Sequence, residues 1–196
     1  MKFQNTGQPD WSWWRELWPD PETVLRRLGV ATDDSIVDVC SGDGYFTLPT
    51  ARLVGTAPVF AVDIDANLLA ALHARTKSQE IENVHPICGD ARHMAAFLQR
   101  SVDIALHMNT FHGVADQEAF ASAVRRVLTP DGRFIIVNWY PAPKAETPIA
   151  GEPRGPPAEL RLSPRSTAAL VEPAGFGQRS HIELPPYHYG LIFDRD

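Results

Sequence analysis

Short apolar runs alternate with amphipathic segments through the middle of the chain. The runs have the length and composition of buried strands, and they fall at residues 35–40, 59–62, 84–88, 102–107 and 134–139. Helices are predicted between them. The first ends near Val54, and the next three cover residues 66–77, 91–98 and 116–128. Strands that alternate with helices predict a parallel sheet covered on both faces, so the fold class is α/β, a doubly wound sheet.

Different patterns flank this alternation. A helix is predicted from Asp20 and Pro21 to Gly29, and a tryptophan-rich stretch, residues 11–18, precedes it. A proline-rich loop occupies residues 140–164 and is followed by a helix to about Glu172. Two strand-like runs, residues 179–184 and 188–193, predict an antiparallel pair at the sheet edge. We interpret residues 1–196 as one domain with four parts: a helical cap (1–29), a core (35–139), the loop (140–164) and a C-terminal helix and hairpin (165–196).

Composition narrows the functional class. The chain is 44% hydrophobic and 21% charged, as is typical of soluble globular proteins. A net charge of -6 argues against a broad nucleic-acid-binding surface. Apolar runs are too short to span a membrane, and the polar N-terminus, residues 1–10, lacks the apolar core of a signal peptide. Two cysteines give neither a disulfide framework nor metal-ligand spacing, so we expect a cytoplasmic protein.

A glycine-containing turn after the first strand indicates a ligand site. Asp38 lies in that strand, and Gly42 and Gly44 let the backbone approach a ligand closely. By itself this pattern is also typical of an ordinary strand-to-helix connection. Asp63 and Asp90 strengthen the interpretation, because they end the next two strands at the edge where such sheets bind ligands. Asp63 can accept hydrogen bonds from ribose hydroxyls, and Asp90 from an exocyclic amine.

With these residues in place, the sequence resembles the class I S-adenosylmethionine-dependent methyltransferases. Residues 102–106 and 128–134 match that family's fourth-strand and fifth-strand motifs. The resemblance implies a seven-stranded, mostly parallel sheet closed by an antiparallel C-terminal strand, and S-adenosyl-L-methionine as cofactor. One position departs from the family, because Cys40 replaces its first glycine. The residues implied to bind the cofactor are Asp38, Cys40, Gly42, Gly44, Asp63, Ile64, Asp90, Ala91 and Met108.

Methyl transfer from a sulfonium is an in-line displacement, so the protein mainly positions the nucleophile and excludes water. The acceptor is expected beyond the fourth strand, where His112 is the candidate base or orienting group. Packing beneath the loop is the alternative role of His112, and His107 is expected in the core. Residues 107–112 contain neither the proline of enzymes that methylate bases or glutamine nor the carboxylates of metal-dependent ones. We therefore expect a small-molecule acceptor and no metal.

Two segments are predicted to close this site against water. The tryptophan-rich stretch either packs on the core or covers the pocket, and we expect packing with one or two rings at the pocket. The proline-rich loop leaves the fifth strand at the same edge. Candidate substrate contacts are Trp14, Phe111, Tyr140, Arg154 and Tyr187.

Two other functions remain open at the level of sequence. One is a catalytically degenerate module that binds S-adenosylmethionine and acts through interactions. The other is an NAD(P)-dependent oxidoreductase, although the third glycine of the dinucleotide fingerprint falls on Thr47. As partners we expect a small-molecule substrate, no nucleic acid and no membrane. The protein is expected to be a monomer or a homodimer.

Overall fold

A computed structural model describes residues 9–196. The predictions made for residues 1–8, namely that they lack a signal peptide and belong to the cap, lie outside the described residues. The helices are α1 (Trp11–Leu17), α2 (Pro21–Arg27), α3 (Thr47–Leu53), α4 (Ala66–Ser78), α5 (Gln117–Arg125) and α6 (Pro164–Val171). The strands are β1 (Ile36–Val39), β2 (Val59–Asp63), β3 (Val84–Cys88), β4 (Val102–Met108), β5 (Leu128–Trp139), β6 (Pro148–Ile149), β7 (Glu152–Pro153), β8 (Phe176–Leu184) and β9 (His188–Arg195).

Side-chain caps fix where several of these helices begin. Asp20 accepts from the Thr23 amide at 3.1 Å, and Pro21 occupies the first helical position of α2. Asp65 caps α4, Asp116 caps α5 and Ser163 caps α6, each by accepting a backbone amide. These are the starts that the sequence predicts.

The strands form one seven-stranded sheet in the order β3-β2-β1-β4-β5-β9-β8. β1 pairs in parallel with β2 and β4, while β9 runs antiparallel between β5 and β8. The predicted doubly wound sheet with an antiparallel C-terminal strand is therefore confirmed. Apolar clusters cover both faces: one includes side chains of α1, α2 and α3, and the other includes side chains of α5 and α6.

Two predicted elements are wrong in detail. The helix expected over 116–128 ends at Arg125, because Leu128 pairs with Val102 and begins β5, with a register shift before Ile104. The helix expected over 91–98 is a 3-10 segment, Ala91–Ala96, because His93 has non-helical backbone angles (φ -113, ψ 16). Within residues 9–196, no helix is long and apolar enough to cross a bilayer.

Candidate active site

A cavity of about 740 Å³ opens at the carboxyl ends of the parallel strands. Its volume is in the range of small-molecule sites, and its position is where open α/β sheets bind ligands. Segments that follow β1, β2, β3 and β4 all contribute to its walls, as does the end of β5. The sequence-predicted residues that line it are Asp38, Cys40, Asp63, Ile64, Asp90, Ala91, Met108, His112, Trp14 and Arg154.

The turn after β1 brings its backbone to the cavity in left-handed conformations. Cys40, Gly42 and Gly44 have φ values of 61, 58 and 93°. Gly44 is required by packing, because a Cβ there would lie 2.4 Å from Leu72 of α4. Gly42 and Gly44 are not among the lining residues of the cavity in the described part of the chain. Both glycines shape the turn whose neighbouring residues, Cys40, Ser41 and Tyr45, line the cavity, and their contact with a cofactor stays a prediction.

Asp63 links that turn to the end of β2. Its Oδ2 accepts from the Gly42 amide at 2.8 Å, and its Oδ1 accepts from the Asp65 amide at 2.9 Å. A carboxylate has about four acceptor positions, so two remain for hydroxyl donors in the cavity. The carboxylate is thereby held in one orientation, as recognition of a ribose diol requires.

Asp38 is almost fully buried at the base of the turn. It accepts a hydrogen bond from the Thr47 hydroxyl at 2.6 Å. Burial raises the pKa of Asp38 to about 7; the nearby Asp63 carboxylate adds to the rise and the Thr47 hydrogen bond opposes it. Burial likewise raises the pKa of the Cys40 thiol to about 12, with the Asp63 carboxylate as the next cause, so this thiol stays neutral.

Asp90 has a partner that the sequence analysis did not anticipate. Its carboxylate accepts from the Arg92 backbone amide at 2.9 Å and from the Arg92 guanidinium through Nε and Nη2. The Arg92 side-chain hydrogen bonds are the main cause that lowers the pKa of Asp90 to about 2. Asp90 lies in the cavity wall, but an incoming amine competes with this guanidinium for its oxygens.

The other end of the cavity is aromatic. Trp13 and Trp14 of α1, Tyr45 and Phe46 after the glycine turn, and Trp139 at the end of β5 all line it. Trp14 stacks on Tyr45 with ring centroids 5.7 Å apart, and Trp13 lies 4.4 Å from Trp14. Sequence reasoning missed Tyr45, Phe46 and Trp139. Their positions in the sequence could have indicated them, because Tyr45 and Phe46 directly follow the glycine turn and Trp139 ends a predicted strand at the edge of the sheet that binds ligands.

His112 lies in this aromatic end. It is 6% exposed, and neither ring nitrogen has a partner in hydrogen-bond geometry among residues 9–196. Burial lowers the pKa of His112 to about 4; the Asn138 amide opposes this and the Arg161 guanidinium reinforces it. At neutral pH the imidazole is therefore uncharged and able to accept a proton. His107 packs among Phe111, Phe120 and Phe134, as predicted for a core histidine.

Three predicted substrate contacts lie away from the cavity. Phe111 is fully buried in the core, because its ring packs edge-on against Phe120 and Phe134. The Tyr140 hydroxyl donates to Glu183 at 2.6 Å, so its polar end is directed to β8. The Tyr187 hydroxyl donates to the Pro148 carbonyl at 3.0 Å. The structure therefore does not support Phe111, Tyr140 and Tyr187 as substrate contacts.

Both segments predicted to close the site lie over it. The cavity is lined at the start of α1 by residues 9–10 and 12–14, and in the proline-rich loop by Lys144, Ala150 and residues 153–156. The charge of Arg154 helps to lower the pKa of Asp10, the α1 cap, although hydrogen bonds from Ser12 and Trp13 are larger causes. These two segments, called the two covers below, therefore meet above the cavity.

The described side chains do not form a metal site. Across residues 9–196, no group of three or more His, Cys, Asp or Glu side chains is arranged to hold a metal ion. The lining residues supply instead carboxylates at one end and uncharged aromatic and imidazole groups at the other.

Comparisons with known proteins agree with this architecture. A methyltransferase-domain family model matches residues 36–132. Demethylmenaquinone methyltransferase from Lactococcus lactis is 27% identical over 116 residues, which are 59% of this chain and 46% of the relative. The Staphylococcus aureus enzyme of the same name is 29% identical over 116 residues, covering 59% of this chain and 47% of the relative. The chain thus spans about half the length of these relatives.

A solved structure matches nearly the whole fold. The S-adenosylmethionine-dependent methyltransferase from Aquifex aeolicus superimposes with a TM-score of 0.80 at 21% identity, covering 95% of this chain and 94% of that one. The family match, the sheet order and the cavity at the carboxyl edge together support one class, the class I S-adenosylmethionine-dependent methyltransferases. The cofactor of this family is S-adenosylmethionine.

Proposed function

We propose that this chain transfers the methyl group of S-adenosylmethionine to a small molecule. One observation carries the proposal: a single cavity joins a carboxylate-lined end to an aromatic end that holds an uncharged histidine. A nucleoside needs oriented acceptors, and a sulfonium is attracted to aromatic faces. The relatives named above act on demethylmenaquinone by their names, which supports a small-molecule acceptor here.

The residues present fit the cofactor. The two free acceptor positions of Asp63 suit the ribose hydroxyls, Asp90 and Ala91 suit the adenine, and Asp38 and Cys40 face the methionine portion. S-adenosylmethionine supplies the activated methyl group. The aromatic rings and the two covers exclude water, and His112 holds an unshared electron pair for a proton that the acceptor gives up.

Competing functions fit less well. The dinucleotide-binding fingerprint needs a small residue at its third glycine position, where the helix packs closely on the strand. Thr47 occupies that position here, and its hydroxyl donates a hydrogen bond to Asp38. A module without catalysis would not need a buried base at the acceptor end. We also propose that the chain forms one methyltransferase domain, acts in the cytoplasm as a monomer or homodimer, and binds no nucleic acid.

Calorimetry tests the cofactor part of the proposal. S-adenosylhomocysteine should bind the purified chain, and NAD should not. Asp63→Asn should weaken that binding by about 10-fold to 100-fold, because hydrogen bonds to a charged acceptor contribute about 1.5–3 kcal/mol. Asp131→Asn is the matched control, since Asp131 is exposed near the opposite end of β5. Equal affinity in both variants would contradict the assignment of Asp63.

Turnover tests the catalytic part. Incubation with S-adenosylmethionine carrying a labelled methyl group, together with a metabolite extract, should move label into the small-molecule fraction. His112→Gln should lower the turnover rate with little change in S-adenosylhomocysteine affinity. Label that moves only into protein or nucleic acid would contradict the small-molecule acceptor.

A further inference from the structure

Arg161 is a buried cation at the aromatic end of the cavity. It is 5% exposed, and it forms no ion pair with any carboxylate in residues 9–196. Arginine is almost never buried so completely without a counter-charge, because its desolvation costs several kcal/mol. This position therefore calls for an explanation beyond packing.

The hydrogen bonds of Arg161 leave one nitrogen unused. Nε donates to the Pro156 carbonyl at 3.0 Å, and Nη2 donates to the Thr147 hydroxyl and the Arg154 carbonyl, both at 3.0 Å. All three acceptors are uncharged. Nη1 is buried with no partner in the described part of the chain, so two N–H donors and a full positive charge remain unmatched.

Other unmatched polar groups surround this charge. The rings of His112 and His188 and the amide of Asn138 are buried, and none of them has a partner in good hydrogen-bond geometry among the described residues, although the Asn138 amide lies near enough to His112 and Tyr189 to affect the pKa of each. The Trp139 ring lies between two of these groups, with its centroid 4.1 Å from the His188 ring and 4.9 Å from the Arg161 Cζ atom, and the Arg161 charge adds to burial in lowering the pKa of both histidines. Native proteins leave few buried polar groups unpaired, and such a concentration is typical of a place that a polar ligand occupies.

The cluster adjoins the cavity directly. His112, Trp139 and Gly155 line the cavity, and the Arg161 Cζ atom lies 4.9 Å from the centre of the Trp139 ring. A Cβ at Gly155 would lie 2.9 Å from both the Arg161 Nη2 atom and the Trp139 ring. Gly155, a residue of the cavity wall, thus packs directly against both the guanidinium and the Trp139 ring.

We propose that the methyl acceptor carries a carboxylate that pairs with Arg161, at a position separate from the atom that is methylated. The inference rests on the proposed function. With both histidines uncharged, the cluster carries one positive charge, which one carboxylate balances. Arg161 Nη1 and the Asn138 amide supply donors to its oxygens, and the guanidinium plane matches carboxylate geometry. Arg161 acts as a binding residue that fixes which end of the acceptor faces the methyl group.

Matched pairs of small probes test this. The full chain is first saturated with S-adenosylhomocysteine, and tryptophan fluorescence then follows titration with acetate, benzoate and phenylacetate and with their amides. At least one carboxylate should bind about 10-fold or more tightly than its amide, as expected for a charge-assisted contact. In Arg161→Gln that preference should disappear, and in Arg161→Lys, which keeps the charge, part of it should remain.

Controls separate the possible outcomes. Arg165→Gln changes an exposed arginine on α6 and should keep the preference. Equal binding of every carboxylate and its amide by the unmodified chain would overturn the inference, as would a preference that Arg154→Gln removes and Arg161→Gln keeps. Failure of S-adenosylhomocysteine to bind at the first step would instead contradict the proposed function. Should Arg161→Gln fail to fold, the preference for carboxylates over amides in Arg161→Lys and in the unmodified chain still tests the inference.

Discussion

The indole nitrogen of Trp11 donates a hydrogen bond to Asp43 at 2.8 Å, and this contact fastens α1 to the glycine turn. Arg75 of α4 joins the same contact, with its guanidinium 4.5 Å from the Trp11 ring centre and 3.0 Å from the Asp43 carboxylate. One end of the cover over the cavity is thus attached to the turn that shapes the cofactor site.

Weakening this attachment should speed cofactor release. Trp11→Phe keeps a ring beneath Arg75 but removes the donor to a charged acceptor, a loss of about 1–3 kcal/mol. Stopped-flow fluorescence should show S-adenosylhomocysteine leaving about 10-fold faster. Glu16→Gln, an exposed change on the same helix, should leave the rate unaltered. An unchanged rate in Trp11→Phe would mean that α1 does not gate release.

Gly44 should tolerate no side chain. Gly44→Ala places a Cβ 2.4 Å from Leu72 at a φ of 93°, so strain and overpacking together should lower the free energy of unfolding by about 2–5 kcal/mol. Gly151→Ala is the matched control, because Gly151 has a φ of 78° but nothing within 4 Å of its Cβ position. Urea denaturation should show a clearly smaller loss for the control. Equal losses would assign the whole effect to backbone conformation.

Arg92 should compete with adenine for Asp90. Arg92→Gln frees carboxylate oxygens, and calorimetry should show S-adenosylhomocysteine binding tightened by about 2-fold to 5-fold, as expected for one competing exposed ion pair. Asp90→Asn should weaken binding, and Arg100→Gln, an exposed change beyond the 3-10 segment, should have no effect. Weaker binding in Arg92→Gln would show that the guanidinium orients Asp90 rather than occupying it.

Stability should depend on pH through His112. Its pKa is about 4 in the folded chain against an ordinary 6.5, so the unfolded chain takes up a proton first, and stability is lost as pH falls from 6.5 towards 4. Asp38 acts oppositely, since its raised pKa of about 7 makes stability decline as pH rises from 3.8. His112→Gln should remove about one proton from the slope in urea denaturation between pH 4 and 6.5. A slope equal to that of the unmodified chain would contradict this assignment.

Chelation should not affect the protein. Because the described residues provide no cluster of metal ligands, S-adenosylhomocysteine affinity and methyl transfer should be the same in EDTA and in magnesium. Loss of transfer in EDTA with recovery on adding magnesium would contradict this.

The sequence predicts the sheet well because its signals are local. Alternating strands and helices, the caps Asp20, Asp65 and Asp116, and the terminal antiparallel pair all depend on neighbouring residues. The predicted end of α5 was wrong because Leu128 is equally suited to the core of a helix or of a strand. Only its pairing with Val102 determines that it belongs to β5.

Side-chain roles that depend on distant partners were not predictable. The sequence alone indicates that the Asp90 carboxylate is free, yet the Arg92 side chain donates hydrogen bonds to it. Arg161 belongs to the predicted proline-rich loop, where a charge is ordinarily solvated, yet the loop folds inward and buries it against Trp139. Phe111 follows the fourth strand at the active edge, but the 3-10 turn Phe111–Gly113 directs its ring into the core.

Trp139 ties the two covers of the cavity together. Its ring lies 6.1 Å from Trp13 of α1 and beneath Arg161 of the proline-rich loop. A movement of either cover therefore changes the packing of the ring that the other cover also touches. This shared contact couples the tryptophan-bearing helix to the proline-rich loop mechanically, although the two segments are more than a hundred residues apart in the chain.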